Sequence, residues 1–405
     1  MKDVMKSSVT AMVAAMMGAV ALPATAAESL EAAITGGKVG LDLRYRYETV
    51  DQTGIAEKAT ASTLRTRLNY TTDSYNDVSA LIEFDDVTAF GTIKYNDATG
   101  LATAQTAYPI VADPEGTEVN QALLSYKGLA DTTLKLGRQR VIFDNARFIG
   151  NVGWRQNEQT YDAFTVANTS LKDTAIVYGY VTNVNTIFGE ESAKGNIDTK
   201  THLINVGYSG FAAGKITAYG YFLDLINAPT TSNSTLGLRF AGGTKMSDAV
   251  KALYSLEYAT QSDYKDGAST IDADYNLIEL GAEFSSVTAM LGYEVLGFGT
   301  SAFSTPLATL HAFNGWADKF LATPANGLVD TYLSVDGKVA DVKLQAVYHD
   351  FTADAGGASY GTEIDLLAAK KFGQYYTLLA KYASYSADTF ATDTDKMWLM
   401  GQAQF

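Results

Sequence analysis

A closed antiparallel β-barrel that crosses a membrane is the fold class this sequence predicts, and three features predict it. Apolar and polar residues alternate with period two in segments of about ten residues, the length of one tilted bilayer crossing. The connections between these segments alternate strictly between short and long. After residue 26 there is no apolar run long enough (about eighteen residues) for a transmembrane helix. Alternating faces average to a mean hydropathy near zero, so composition alone conceals a membrane barrel.

Taken in order, the chain starts with Lys2 and Lys6, a small apolar stretch from about Val9 to Leu22, and Pro23-Ala24-Thr25-Ala26. A basic start, a short apolar core and an Ala-x-Ala end predict a secretory signal peptide over 1–26, which leaves 27–405 as a single barrel domain. No linker or composition shift divides that remainder. The sequence has no cysteine, which excludes disulfides and thiolate metal sites. Its net charge is −15, and loss of 1–26 makes it one unit more negative. Such a balance argues against a nucleic-acid partner.

The first strand is the clearest. In Leu41-Asp42-Leu43-Arg44-Tyr45-Arg46-Tyr47-Glu48, leucines and tyrosines share one parity and charges the other. An arginine on the lipid side near the midplane costs about 2–4 kcal/mol. Arg44 and Arg46 are therefore expected in the lumen, with the leucines and tyrosines against lipid or in an aromatic girdle. Eighteen such segments are expected, near 39–48, 61–72, 77–86, 118–127, 132–141, 160–168, 173–182, 200–209, 215–224, 234–241, 250–261, 273–284, 286–296, 328–336, 340–350, 360–371, 375–385 and 396–405. Gly-, Asp- and Asn-bearing tight turns such as Asp73–Asn76, Gly128–Asp131 and Phe372–Gln374 alternate with long polar loops, among them 87–117, 142–159 and 297–327. This asymmetry predicts short periplasmic turns and long extracellular loops, and an even strand number puts both termini in the periplasm. The last strand ends in Phe405, which resembles the terminal signature read by outer-membrane assembly machinery. The expected surroundings are outer-membrane lipid and lipopolysaccharide.

Of nine arginines, eight precede residue 156. Consecutive barrel strands are neighbours, so Arg44, Arg46, Arg65 and Arg67 should form a basic ladder in the lumen, near Glu83 and Asp85. A guanidinium grips carboxylates bidentately, which suits a track for acidic solutes. The same groups could instead pair with wall carboxylates and stiffen the barrel, and both uses stay open. Arg138 and Arg140 share a parity with Leu134 and Leu136. Either Gly137 marks a bulge that turns these arginines inward, or they lie at the outer rim. Glu257, Glu279, Glu283, Glu294, Glu363 and Asp365 are expected opposite the ladder, giving a transverse field across the pore. The 87–117 and 297–327 loops are long enough to fold inward and narrow it.

Catalysis finds no support. The three histidines, His202, His311 and His349, lie on separate segments with no Glu-x-x-His spacing or Gly-x-Ser-x-Gly elbow. His349 beside Asp350 is a weak pair, because adjacent strand residues point to opposite faces. Neither a cofactor nor a metal site is expected.

Two stretches, Leu136–Gly150 continuing to Trp154-Arg155-Gln156-Asn157-Glu158, and His311–Phe320 followed by Thr323–Leu328, resemble the alginate-export family of bacterial outer-membrane porins. The resemblance implies an eighteen-stranded barrel with an arginine-rich constriction, to which Arg44, Arg46, Arg65, Arg67, Arg138 and Arg140 could contribute. Arg147, Arg155, His311, Trp316, Asp318 and Lys319 fall within the resembling stretches and are the candidate constriction-loop residues. The expected function is passive diffusion of small polar, acidic solutes or oligosaccharides. Export of an acidic polysaccharide is the alternative.

Overall fold

The computed structural model describes residues 26–101 and 104–405. The expected signal peptide, apart from Ala26, lies outside the described residues. Eighteen strands form one closed antiparallel sheet in which every strand pairs with its sequence neighbours and the last pairs with the first. They are β1 Lys38–Gln52, β2 Ala59–Thr71, β3 Val78–Ala89, β4 Gly116–Leu129, β5 Thr132–Gln139, β6 Thr160–Asn168, β7 Thr174–Asn185, β8 Asn196–Phe211 and β9 Gly214–Leu223. The second half comprises β10 Asn233–Lys245, β11 Val250–Asp263, β12 Asp272–Phe284, β13 Val287–Leu296, β14 Leu328–Val339, β15 Val342–Thr352, β16 Ser359–Phe372, β17 Tyr376–Ala387 and β18 Thr394–Gln404. A single helical turn and a half, α1 Leu30–Thr35, precedes β1. Its six residues are too few for helical periodicity to register in the sequence.

Closure follows from register. Arg44 stands opposite Arg65 of β2 on one side and Gln402 of β18 on the other. No edge remains for another chain to extend. The outward face is apolar all round, with Leu68, Leu124, Leu136, Leu238, Leu280, Leu333 and Leu378 among its exposed residues. A surface of this kind on a barrel with a charged interior is a lipid-facing surface. Aromatic residues gather at both ends of the apolar band. Tyr258, Tyr293, Tyr348 and Tyr382 stand towards the long-loop end, and Phe211, Phe284, Phe372, Tyr376 and Phe405 at the short-turn end.

The interior departs from a simple polar lining. Charges fill the middle of the lumen, but an apolar core occupies its long-loop half. Inward aromatic residues on the strands, including Tyr219, Tyr221, Tyr275, Phe351 and Tyr385, pack against loop residues Phe143, Phe148, Ile149, Phe303, Leu307 and Phe320. Two loops, 140–159 and 297–327, thus enter the lumen and bury their own hydrophobic groups there. A smaller cluster seats Tyr95 and Val111 of the β3–β4 loop on the inward-facing Val50, Ala59 and Ala61, and Asp113 of that loop reaches Arg46 in the lumen, as expected for a loop that folds inward.

Candidate functional site

The β1–β2 hairpin builds the arginine ladder. Its register stacks Arg44 beside Arg65 and Asp42 beside Arg67, all with side chains in the lumen. Arg65 meets Asp42 at 2.9 Å. Arg67 engages Asp85 through two nitrogens and lies 3.2 Å from Glu158. Arg140 joins both Glu83 and Glu158, so Arg67, Arg140, Glu83, Asp85 and Glu158 form one ion-pair network. Burial opposes ionisation of Glu158, but Arg140 and Arg67 outweigh it and hold the carboxyl well below the usual range.

Arg44 and Arg46 make a different kind of contact. Arg44 donates to the Gly153 carbonyl at 3.1 Å, to Gln156 Oε1 at 2.9 Å and to the carbonyl of Arg155. Arg46, fully buried, donates to the Trp154 carbonyl and to Asp113, and its guanidinium lies 4.3 Å from the Trp154 ring centre. These two arginines therefore grip the backbone of residues 153–155. Their oxygen partners are groups of the loops rather than the wall carboxylates that sequence offered.

Arg138 and Arg140, which share a parity, are separated by the end of β5 at Gln139. Arg138, still on the strand, keeps the outward parity of Leu136 and pairs at the rim with Asp162 and Glu190. Of the two placements left open by sequence, its ion pairs lie at the outer rim. Arg140 lies just beyond the strand, where the chain turns inward. Gly137 has a φ of +123°, and a Cβ there would meet the Ala122 carbonyl at 2.2 Å, so the position requires glycine without shifting the β4–β5 register.

The tip of the 297–327 loop is held from the opposite wall. The Trp316 amide donates to Asp365 at 3.1 Å and the Ala317 amide to Glu363 at 2.6 Å. Gly315 (φ +83°) makes this approach possible, since a Cβ would fall 2.4 Å from the Glu363 carboxylate. Asn314 donates to Glu294 and Asp330 and accepts from Arg147, which itself pairs with Glu294 at 2.7 Å. Asp318 ties the elements together. It accepts from Arg155 at 3.0 Å, Lys396 at 2.7 Å and His311 Nδ1 at 2.6 Å, while Arg155 also holds Glu48. Burial would raise the Asp318 carboxyl, but His311, Lys396 and Arg155 bring it well below its ordinary range. Burial drives the His311 imidazole well below its usual value, Asp318 notwithstanding. A neutral His311 donates from Nδ1 and accepts at Nε2 from Lys381 at 2.7 Å.

Lys381 lies over two indole faces, 3.6 Å from the Trp316 centroid and 4.3 Å from Trp154. With His311 these residues line one side of a cavity of about 450 Å³, whose other side carries Glu279, Glu294, Asp330 and His349. Lys319, on the same loop, is half-buried and makes no ion pair among the described residues; burial, then Lys396, lowers its pKa to about 8.

Around the wall, β17, β18, β1 and β2 carry Lys381, Lys396, Arg44, Arg46, Arg65 and Arg67, and β11 to β16 carry Glu257, Glu279, Glu294, Asp330, Glu363 and Asp365. Glu283, expected in the acidic set, lies near the short-turn mouth, 3.9 Å from Lys251 and well exposed. His349 faces inward to Asp330 at 2.9 Å, away from Asp350. Sequence reasoning missed Lys381, Lys396, Asp113, Trp154, Gln156 and Glu158. For the two lysines a signal existed, because both lie on the inward parity of the last two strands, and closure brings β18 beside β1.

The family model described as alginate export matches residues 37–294. No curated protein matches this sequence. Among solved structures, the chain is similar to OccAB4 of Acinetobacter baumannii (TM-score 0.70, 15% identity, 91% of this chain and 98% of that one). It is similar to OpdK of Pseudomonas aeruginosa, solved with vanillate (0.69, 14%, 92% and 99%). OccD3 of the same organism gives 0.68 and 15%, over 95% of both chains. At these identities the likeness concerns the fold.

Proposed function

The chain belongs to the alginate export family and is an outer-membrane porin, and from that premise we propose that it passes small acidic solutes by passive diffusion between the basic and acidic arcs. The observation that carries this reading is the Lys381 cavity, where a lysine over two indole faces shares a space of about 450 Å³ with three carboxylates. A field across the pore orients a dipolar or carboxylate-bearing solute. Vanillate, the molecule solved with OpdK, is an aromatic carboxylate, and a lysine bracketed by indoles suits that class. Lys381, Lys396 and Lys319 carry the solute contacts in this reading, and Arg44 and Arg46 fix the constriction they stand in. No catalytic step is involved.

The proposal places the short turns and both termini in the periplasm, the long loops among lipopolysaccharide, and 27–405 in one domain. Phe405, paired with Leu41 and stacked on Tyr375, is exposed where assembly machinery could read it. Passage of a polysaccharide would require both inward loops to leave the lumen, against the contacts that hold them. Reconstitution into a planar bilayer tests the proposal. The parent should conduct with a preference for anions, and the double variant Lys381→Met, Lys396→Met should lose most of that preference. Absence of ion conductance would overturn the channel reading; unchanged selectivity in the variant would remove these lysines from the path.

A further inference from the structure

We infer that α1 is a lipid anchor, seated in the interface of the bilayer leaflet at the short-turn end with Leu30 and Ile34 turned into the acyl boundary. The helix is capped at Ser29, whose hydroxyl accepts from the Ala32 amide at 3.0 Å. Ala33 is buried against the barrel, and the Asp73 amide of the β2–β3 turn donates to its carbonyl. Leu30 and Ile34, four residues apart and so on one face, are 61% and 51% exposed. Glu31 and Thr35 lie on the adjoining flank. Among the described residues, nothing covers these two large apolar side chains.

Continuity with the lipid-facing belt identifies the occupant. Tyr70 is on the outward parity of β2, next to Leu68, and its hydroxyl donates to the Ile34 carbonyl. The helix therefore sits where the outer face of the barrel meets the rim. Val39, opposite Tyr70 and on the same outward parity, is exposed, as are Leu68 and Val78. Leu30 and Ile34 extend this apolar surface beyond the last strand residues. Amphipathic elements at that depth bury their apolar side at the boundary between headgroups and chains. The inference requires only that the barrel spans a bilayer, and it stands whichever solute the pore carries.

The absence of cysteine permits clean single-site labelling. Leu30→Cys, Ile34→Cys, Glu31→Cys and Leu68→Cys variants of the full chain, nitroxide-labelled and folded into vesicles of phosphatidylethanolamine and phosphatidylglycerol, would be compared by collision with oxygen and with a polar nickel chelate. Heat-modifiable migration verifies that each variant folds. Labels at 30 and 34 should show oxygen-to-nickel ratios several-fold above that at 31 and approaching that at 68. Ratios at 30 and 34 equal to that at 31 would overturn the anchor, leaving the pair in water. Exclusion of both colliders would overturn it too, by showing a protein or a second copy on the face.

Discussion

The two inward loops are fastened by walls of opposite charge, and each wall takes hold of the opposite end of the peptide dipole. On the basic side, Arg44 and Arg46 collect the carbonyls of Gly153, Trp154 and Arg155. On the acidic side, Asp365 and Glu363 collect the amides of Trp316 and Ala317. A peptide group offers both a donor and an acceptor, so the wall's charge selects which one turns towards it. The loops then meet through Arg155 and Asp318, whose ion pair joins the two halves of the plug. Charge separation around the barrel thus determines the shape of the constriction as well as the field across it.

The largest effect is expected on the basic side. Arg46→Met leaves Asp113 buried without its main cation and frees the Trp154 carbonyl, and loss of one partner of a buried pair costs about 3–5 kcal/mol. Its urea unfolding midpoint should fall steeply, and single-channel traces should become larger and noisier as residues 153–155 detach. A midpoint equal to the parent's would mean the arginine does not hold the loop. On the acidic side, Glu363→Ala removes one acceptor from the Ala317 amide, with an expected loss of about 1–3 kcal/mol. Glu363→Gln keeps an oxygen there and should recover much of it; equal losses for both variants would show that the amide contact is not what matters.

The smallest effect is expected from Lys319, whose pKa of about 8 lies below the roughly 10.4 of a free lysine. The folded form therefore disfavours its charge. Any destabilisation this causes is present below pH 8 and relieved as pH rises through 8 towards the unfolded value. Anion preference should weaken over the same rise, seen as a drift of zero-current potential between pH 7 and 9. Lys319→Met should abolish the drift, and persistence of it in that variant would assign the titration elsewhere.

Strands and ladder were legible because a barrel repeats a period-two code, and Arg44, Arg46, Arg65 and Arg67 lie within it. The plug was much less so. Trp154, Gln156 and Glu158 sit in an irregular loop where no periodicity says which side chain faces what. Arg138 and Arg140 could not be placed from parity, because it carries a residue inward or outward only while the strand lasts, and β5 stops between them. The lysines of β17 and β18 were overlooked for a topological reason: they are remote from β1 in sequence, and only closure puts β18 beside it and β17 one strand further.

That seam has a kinetic consequence. Arg46 meets Met400 across 354 positions of chain, among the most non-local contacts a sequence of this length can make. Loop-closure entropy must be overcome before such contacts reward it, so docking of β18 on β1 should come late and slowly. Lys381 and Lys396, a third of the basic arc, arrive with β17 and β18, and the four arginines with β1 and β2. Until the seam forms there is no continuous cationic wall, so the step that seals the barrel against lipid also completes its electrostatic lining.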